Sequence, residues 1–173
     1  MNNLVRAIGI SINRWQPANA LKALATGLID AVQVVYNIFD QAPEDALFPA
    51  ARERGVAVIA RVPFDEGSLT GTLTPQTTWP QGDFRNIYFG GDKLRETLDR
   101  VARLESVVPE GMTLPELSLR FILQHPAVST VIPGMRKARH VEANLGASDG
   151  ERLPEAVLSA LRPHRWDRTV ELP

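Results

Sequence analysis

The sequence predicts an α/β fold with a parallel sheet, and the order of its segments carries that prediction. Short aliphatic and β-branched stretches alternate with stretches of helical period, which is typical of strand–helix units. The stretch VAVIA at 56–60 is nearly all apolar, which indicates a strand buried on both faces, as in a parallel sheet. About four such units fit into the 173 residues, whereas an eight-stranded βα barrel needs about 250 residues. The chain therefore corresponds to about half a barrel or to a small open sheet.

The individual elements follow from local signals. The predicted strands are residues 4–10, 31–36, 56–60 and 128–132. The predicted helices are 17–26, 43–54, 93–108, 114–124, 137–147 and 153–161. Prolines open the first two helices, and Thr113 with Glu116 provides a capping box for the helix at 114–124. No Gly-x-Gly-x-x-Gly follows a predicted strand, so a Rossmann-type fold is not indicated.

Two segments depart from the strand–helix pattern. Residues 61–91 are rich in glycine and proline, and a loop of this length in a compact domain is typical of a functional or a disordered segment. The last residues, 162–173, are polar and are predicted to form a tail. We therefore expect a single domain over residues 1–173 with a polar end.

Composition excludes several classes of protein. The net charge is −1, so bulk binding to nucleic acid or to an anionic membrane is not indicated, and any basic site must be local. No cysteine is present, which removes disulfides, thiolate chemistry and cysteine-bound metal and fits a reducing cytoplasm. The first residues lack the pattern of a signal peptide, and no apolar run approaches the ~20 residues of a membrane span. We expect a cytoplasmic protein.

Polar residues stand where the predicted strands end, which is where βα folds carry their active groups. Gln33 lies in the otherwise apolar AVQVVY, so it is either a core amide bonded to backbone or a residue that holds a ligand amide. Arg61 follows VAVIA, and a guanidinium there needs an anion, an aromatic face or a structural salt bridge. Ser11 follows the first strand and needs no function as a turn residue.

The strongest local signal is the stretch VSTVIPGMRKARHVEANL at 128–145. It places cations at the start of a helix, where each costs about 0.3–1 kcal/mol; they are Arg136, Lys137, Arg139 and His140. A bound phosphate would reverse that sign, and Gly134 would let backbone approach the ligand. Further along, Asn144 could offer a donor and an acceptor to a purine edge. The alternative is a solvated basic face.

Several motifs occur together in one order: VRAIGIS, IDAVQVVYNIFDQAPED, GVAVIARVPFDEGSLTG, GDFRN and TVIPGMRKARHVEANL. They resemble the second half of the aldo-keto reductases, most nearly the bacterial type in which an arginine follows the seventh strand. The resemblance covers residues 5–147. It implies that this chain supplies about half, four βα units, of a parallel (β/α)₈ barrel of TIM type. It also implies an NADP(H)-dependent reduction of a small aldehyde or ketone, usually without metal.

The resemblance also implies a role for individual residues at the nicotinamide end of the cofactor. Ser11 and Gln33 match residues that hold the nicotinamide carboxamide. Arg61 stands where many members have a tyrosine stacked on the nicotinamide ring, so its guanidinium would stack there or reach the pyrophosphate. Phe64 and Gly67 match the loop that covers the pyrophosphate.

At the other end of the cofactor, the resemblance implies contacts to adenosine. Met135 and Arg136 match the segment that binds the 2′-phosphate. His140 lies where some members have another phosphate-binding arginine. Asn144 matches the contact to adenine.

The catalytic Asp, Tyr, Lys and His of the family come from the first half of its barrel. The tyrosines and histidines of this chain match none of those positions, so we expect no catalytic residue here. Three interpretations stay open. The chain is the NADP-binding part of a reductase completed by a missing N-terminal half, a non-catalytic NADP-binding or sensing module, or a half-barrel that pairs with a second copy.

Overall fold

The computed structural model describes residues 5–13 and 15–167. Its centre is a four-stranded sheet in the order β1-β2-β3-β4, and every neighbouring pair is parallel. The strands are β1 Gly9–Ser11, β2 Ala31–Val35, β3 Ala57–Arg61 and β4 Val128–Val131. The prediction of an α/β fold with a parallel sheet is confirmed.

Seven α-helices connect and cover these strands within the described residues. They are α1 Leu21–Leu24, α2 Leu47–Glu53, α3 Arg85–Tyr88, α4 Lys93–Leu104, α5 Leu114–Gln124, α6 Ala138–Gly146 and α7 Glu155–Leu161. Short 3₁₀ turns lie at Pro17–Ala20, Ala42–Glu44, Asp65–Thr70 and Arg162–His164. None of these helices is long and apolar enough to cross a membrane.

The first strand is shorter than the sequence predicts. Within the described part of the predicted range 4–10, residues 5–8 lie outside the strand, and the ladder runs only over Gly9–Ser11 against Ala31–Gln33. The N–H of Ile8 donates instead to the Asp30 carboxylate, 2.7 Å away. The prediction was wrong at this end because hydropathy does not tell which apolar residues find a partner strand.

Five predicted helices are also shorter in the structure, two of them, 137–147 and 153–161, by only two residues each. The ranges 17–26 and 43–54 each begin as a 3₁₀ turn that contains the proline, and the α-helical part covers only α1 and α2. Before α2, Ala46 has φ −141°, which interrupts the helix. The range 93–108 ends at Leu104. Conversely, α3 inside the long loop has no counterpart among the predicted helices.

The two faces of the sheet differ in burial. The alternating residues Val32, Val34, Val58 and Ala60 are fully buried in the main core. On the other face, Gln33 and Ile59 are only half-buried, whereas Val35 at the end of β2 is fully buried. The interpretation that 56–60 is buried on both faces is therefore wrong for this chain, because one face of the sheet is uncovered.

The described part of the predicted polar tail packs against the rest of the domain. The N–H of Trp166 donates to the Phe39 carbonyl at 2.8 Å, and its ring lies 4.0 Å from the guanidinium of Arg100. Arg165 binds both oxygens of Asp45 at 2.6 Å. Residues 168–173 of the predicted tail lie outside the described part of the chain.

Candidate functional site

A cleft of about 690 Å³ opens between the ends of β3 and β4. Ligand pockets usually fall between about 300 and 1,000 Å³, so this cleft could hold a nucleotide. Its walls come from the segment after β3, the start of α5, the loop after β4 and the face of α6. The lining residues are Val62, Pro63, Phe64, Glu66, Gly67, Thr70, Thr72, Thr113, Pro115, Ile132, Gly134, Arg136, His140, Ala143 and Asn144.

The wall that follows β3, residues 62–67, has an unusual backbone. Val62, Asp65 and Glu66 have φ values of 56°, 47° and 56°, in the left-handed region that favours glycine. Such a conformation costs a non-glycine residue about 1–3 kcal/mol, and it persists only where the surroundings determine it. Gly67 follows at φ 107°, which suits glycine. We call residues 62–67 the strained wall.

Inside the strained wall, the carboxylate of Asp65 points away from the cleft and is fully buried. One oxygen accepts from the Tyr88 hydroxyl at 2.5 Å, and the other accepts from the Ser68 hydroxyl at 2.6 Å. A buried carboxylate requires such donors, because without them it would lose its hydration uncompensated. These bonds link the strained wall to α3 in the long loop.

The opposite wall is the start of α6, and it leaves its backbone donors uncapped. Its N-cap residue Lys137 makes no side-chain cap hydrogen bond, and its first turn contains no acid. Arg136 and Lys137 are exposed and make no ion pair with any residue that the structure describes. Free N–H groups and unpaired cations at a helix start favour an anion. The predicted basic helix start is therefore present and faces the cleft through Arg136 and His140.

Gly134 and Asn144 shape the same wall. A Cβ added at Gly134 would meet no atom within 4 Å, so packing within the chain does not require glycine there. The Asn144 side chain is 8% exposed, and its amide donates to the Gly134 carbonyl at 3.3 Å. Asn144 thus joins α6 to the loop after β4 while its amide oxygen accepts no hydrogen bond from the described residues.

Three further predicted site residues lie on the uncovered face of the sheet. Ser11 and Gln33 are register partners in β1 and β2, so their side chains point to the same face. Arg61, at the end of β3, extends across β2 and donates to the Ile12 carbonyl at 3.2 Å. This bond ties the ends of β1 and β3 together.

The ten predicted site residues therefore form two groups, and one residue belongs to neither. Phe64, Gly67, Gly134, Arg136, His140 and Asn144 share the cleft, whereas Ser11, Gln33 and Arg61 share the uncovered face. Met135 is 41% exposed and does not line the cleft. Sequence reasoning did not predict the threonines that line the cleft or the buried Asp65. The stretch PFDEGSLT at 63–70 has no hydrophobic period that would predict the burial of Asp65.

Neither tyrosine of the chain faces the cleft. Tyr36 is 1% exposed and donates to Glu44 at 2.6 Å, and its pKa is raised well above the usual range, first by burial and then by the charge of Glu44. A general acid near neutral pH needs a pKa close to the working pH, so this shift is in the unfavourable direction. Tyr88 is 2% exposed and is engaged by Asp65. Among the described residues, no group of three or more His, Asp or Glu could hold a metal ion.

A parallel βα sheet with a cleft at the ends of two neighbouring strands is the arrangement of βα-barrel-type folds, whose sites lie at the strand ends. The model of the Aldo/keto reductase family matches residues 4–165. The chain belongs to this family.

Individual relatives agree with that assignment. The chain is 34% identical to aldo-keto reductase str7 of Strobilurus tenacellus, covering 84% of this chain and 45% of that protein. It is 28% identical to the Schizosaccharomyces pombe aldo-keto reductase yakc, whose name carries NADP(+), covering 91% and 47%. It is 26% identical to the NADH-specific methylglyoxal reductase of Escherichia coli, covering 83% and 44%.

Solved structures support the same fold. The holo form of aldo-keto reductase AKR11C1 from Bacillus halodurans superposes with a TM-score of 0.72 and 25% identity, covering 97% of this chain and 53% of that one. The chain spans about half the length of the curated relatives it matches. Membership of the family therefore makes the chain part of an oxidoreductase family with nicotinamide cofactors.

Proposed function

We propose that this chain is the NADP(H)-binding part of an aldo-keto reductase that reduces aldehydes or ketones to alcohols. The proposal rests mainly on the start of α6, which has no side-chain cap and places Arg136 and His140 in the lining of a cleft of nucleotide size. In an isolated protein this arrangement is unfavourable, because the cations oppose the helix dipole. A bound phosphate makes the same arrangement favourable, since the N–H groups and the cations then act on one anion.

The preference for NADP over NAD rests on Arg136 and His140. NADP differs by a 2′-phosphate, and Arg136 can make a planar, two-pronged contact with phosphate oxygens. Related proteins differ here, since the name of one carries NADP(+) and that of another is NADH-specific. The basic residues of this cleft are the reason to propose NADP.

The residues on the uncovered face would orient the nicotinamide end. Ser11 and Gln33 would bind the carboxamide, and Arg61 would lie against the ring or the pyrophosphate. When bound, the reduced nicotinamide supplies a hydride to the carbonyl carbon. The chain's own part is to bind and orient. We propose that the proton for the carbonyl oxygen comes from residues outside this chain, since both tyrosine hydroxyls are engaged by carboxylates away from the cleft.

The uncovered face and the edge strands β1 and β4 would be the surface where the rest of a barrel packs. We propose that an N-terminal half completes the barrel and supplies the catalytic Asp, Tyr, Lys and His. A homo-oligomer, in which a second copy covers the face, is the alternative. Intact mass with gel filtration separates them, because a heavier partner favours the first and a symmetric dimer favours the second.

Arg136→Ala tests the cofactor site. Losing charge-assisted hydrogen bonds should weaken NADPH binding by roughly 10- to 100-fold, while NADH binding should barely change. Calorimetric titration of both cofactors measures this. The control is Arg54→Ala, which removes an exposed charge directly after α2, away from the cleft. Equal losses for both cofactors, or none for either, would show that the basic segment is only a solvated face.

The catalytic part of the proposal needs a separate assay. The purified chain alone should bind NADPH but should not consume it with a panel of aldehydes. Addition of the completing half should restore consumption. Binding that is never followed by consumption with any half-barrel partner would favour the alternative of an NADP-binding or sensing module. Steady consumption by the chain alone would contradict the assignment of the catalytic residues.

A further inference from the structure

The strained wall is held in place by two residues that do not line the cleft. Phe64, Glu66 and Gly67 face the cleft, but Asp65 between them turns its side chain into the protein. Its partner Tyr88 lies 23 positions further along the chain and is also absent from the cleft. The shape of the wall therefore depends on a contact behind it.

The backbone of the wall has few other restraints of its own. The N–H of Asp65 donates to the Val62 carbonyl at 3.1 Å, and the N–H groups of Gly67 and Leu69 donate to Phe64 at 2.8 and 3.1 Å. These three bonds are local to the turn, and one further bond comes from outside it: the buried Asn37 side chain donates to the Val62 carbonyl at 3.0 Å and fixes the start of the wall. A turn of non-glycine residues at positive φ relaxes to other conformations unless something outside it fixes a side chain. The buried bond from Tyr88 to Asp65 meets that need at the centre of the turn, where Asp65 and Glu66 have positive φ.

Tyr88 is itself held in a small aromatic cluster. Its ring lies 4.8 Å from Phe89 and 5.8 Å from Phe84, and Phe89 stacks on Trp79 at 5.1 Å. Half-buried Trp15, which follows β1, packs on the same cluster. The phenol oxygen is thus fixed by packing before it meets Asp65, and a preorganised donor can hold a strained acceptor.

We propose that Tyr88, acting through Asp65, is a positioning residue that holds the strained wall in the shape that binds the cofactor. The proposal rests on the proposed function of the cleft and extends it to a residue that touches no ligand. The affinity of the cleft then depends on α3, in the long loop, through the hydroxyl group of Tyr88.

Tyr88→Phe removes that hydroxyl and keeps the ring. Tyr36→Phe is the matched control, because Tyr36 also donates its hydroxyl to a carboxylate, 2.6 Å away, outside the cleft. In Tyr88→Phe we expect amide hydrogen exchange at residues 62–71 to speed up about tenfold and NADPH affinity to fall by about tenfold. In Tyr36→Phe, hydrogen exchange at 62–71 should not speed up selectively, and NADPH affinity should not change.

Asp65→Asn provides a second route to the same contact. It retains the size of the side chain and removes the charge, and it should resemble Tyr88→Phe in both measurements. Asp65→Asn also disturbs the bond from Ser68. The double variant should therefore lose less than the sum of the two single variants, because both disturb the bond between Tyr88 and Asp65. Additive losses, or equal losses in Tyr88→Phe and Tyr36→Phe, would overturn the proposal.

Failure of the positioning role and failure of the cofactor site give different results. If the unchanged chain binds no NADPH, the proposed function fails, and hydrogen exchange alone then decides whether Tyr88 holds the wall. If the unchanged chain binds NADPH and Tyr88→Phe speeds exchange at 62–71 without loss of affinity, the positioning role is wrong and the cofactor site stands. Unchanged exchange at 62–71 refutes the role of Tyr88 in either case.

Discussion

The two tyrosines of the chain make the same chemical contact in two different regions. Tyr36 donates to Glu44 at 2.6 Å, and Tyr88 donates to Asp65 at 2.5 Å. Tyr36 lies in the main core, with Phe48, Phe121 and His125 around its ring at 4.8, 5.5 and 5.7 Å. Tyr88 lies in the small aromatic cluster over the long loop.

The acceptors explain what each contact does. Glu44 is half-buried in a 3₁₀ turn, so water can hydrogen-bond its carboxylate if the bond from Tyr36 is lost. Asp65 is fully buried at φ 47°, so its bond fixes both a charge and a backbone conformation. A buried phenol therefore supports packing where the backbone is relaxed, and it determines local shape where the backbone is strained.

The largest test of this comparison removes an aromatic ring from each region. Phe48→Ala opens the main core beside Tyr36 and should lower the free energy of unfolding by about 3–5 kcal/mol. Phe89→Ala opens only the small cluster, which can collapse locally, so its global cost should be less than half as large. Urea unfolding of both variants measures this. Equal losses would show that the two regions unfold as one cooperative unit.

A smaller test changes the backbone of each region. Gly55 ends α2 at φ 64°, and Gly67 lies in the strained wall at φ 107°; an added Cβ meets nothing within 4 Å at either site. Because no contact is lost or gained, the effect is conformational only, and alanine at a left-handed position costs about 1–2 kcal/mol. Gly55→Ala should lower global stability by about that amount, measured by thermal unfolding.

Gly67→Ala should act differently, because the wall can rearrange while the core stays folded. We expect weaker NADPH binding and faster hydrogen exchange at 62–71, with a smaller change in thermal unfolding than for Gly55→Ala. A loss of global stability as large as that of Gly55→Ala would mean that the wall is part of the main folding unit.

The smallest expected effect is a dependence on pH in the region of Tyr36. Burial lowers the pKa of His125, the charges of Arg52 and Arg162 lower it further, and Glu44 opposes them. The unfolded chain therefore binds a proton more readily, and the stability gained from neutral His125 is present above about pH 6.5 and declines below it. In His125→Gln the fall in stability between pH 7 and 5 should be shallower than in the unchanged chain. An unchanged slope would assign the acid sensitivity to other groups.

The fold was predictable where the sequence patterns that determine an element lie within a few residues of one another. The helix α5 was predicted at its observed bounds, because Thr113 accepts from the Glu116 N–H and Pro115 fits the first turn. The extent of β1 was not predictable, because Val5 and Ile8 are as apolar as strand residues and yet stay exposed. Their state depends on which residues the neighbouring strand can reach.

The same division holds for the candidate site. The basic start of α6 is a local pattern of charge, so Arg136 and His140 could be found from the sequence. The bond between Asp65 and Tyr88 joins residues 23 positions apart and depends on how the long loop folds back. The positive φ at Val62 is likewise a result of tertiary contacts, since a β-branched residue does not favour it.

The strand pairings of the sheet enclose very different lengths of chain. Gly9 pairs with Ala31 and Ala31 with Ala57, which are separations of 22 and 26 residues, whereas Val58 pairs with Val128 across 70. Because the entropy of loop closure grows with the logarithm of length, the last pairing costs roughly 1 kcal/mol more than the first. The cleft lies across this same junction of β3 and β4. A ligand bound there would therefore influence folding itself, by favouring the one closure that chain entropy opposes most.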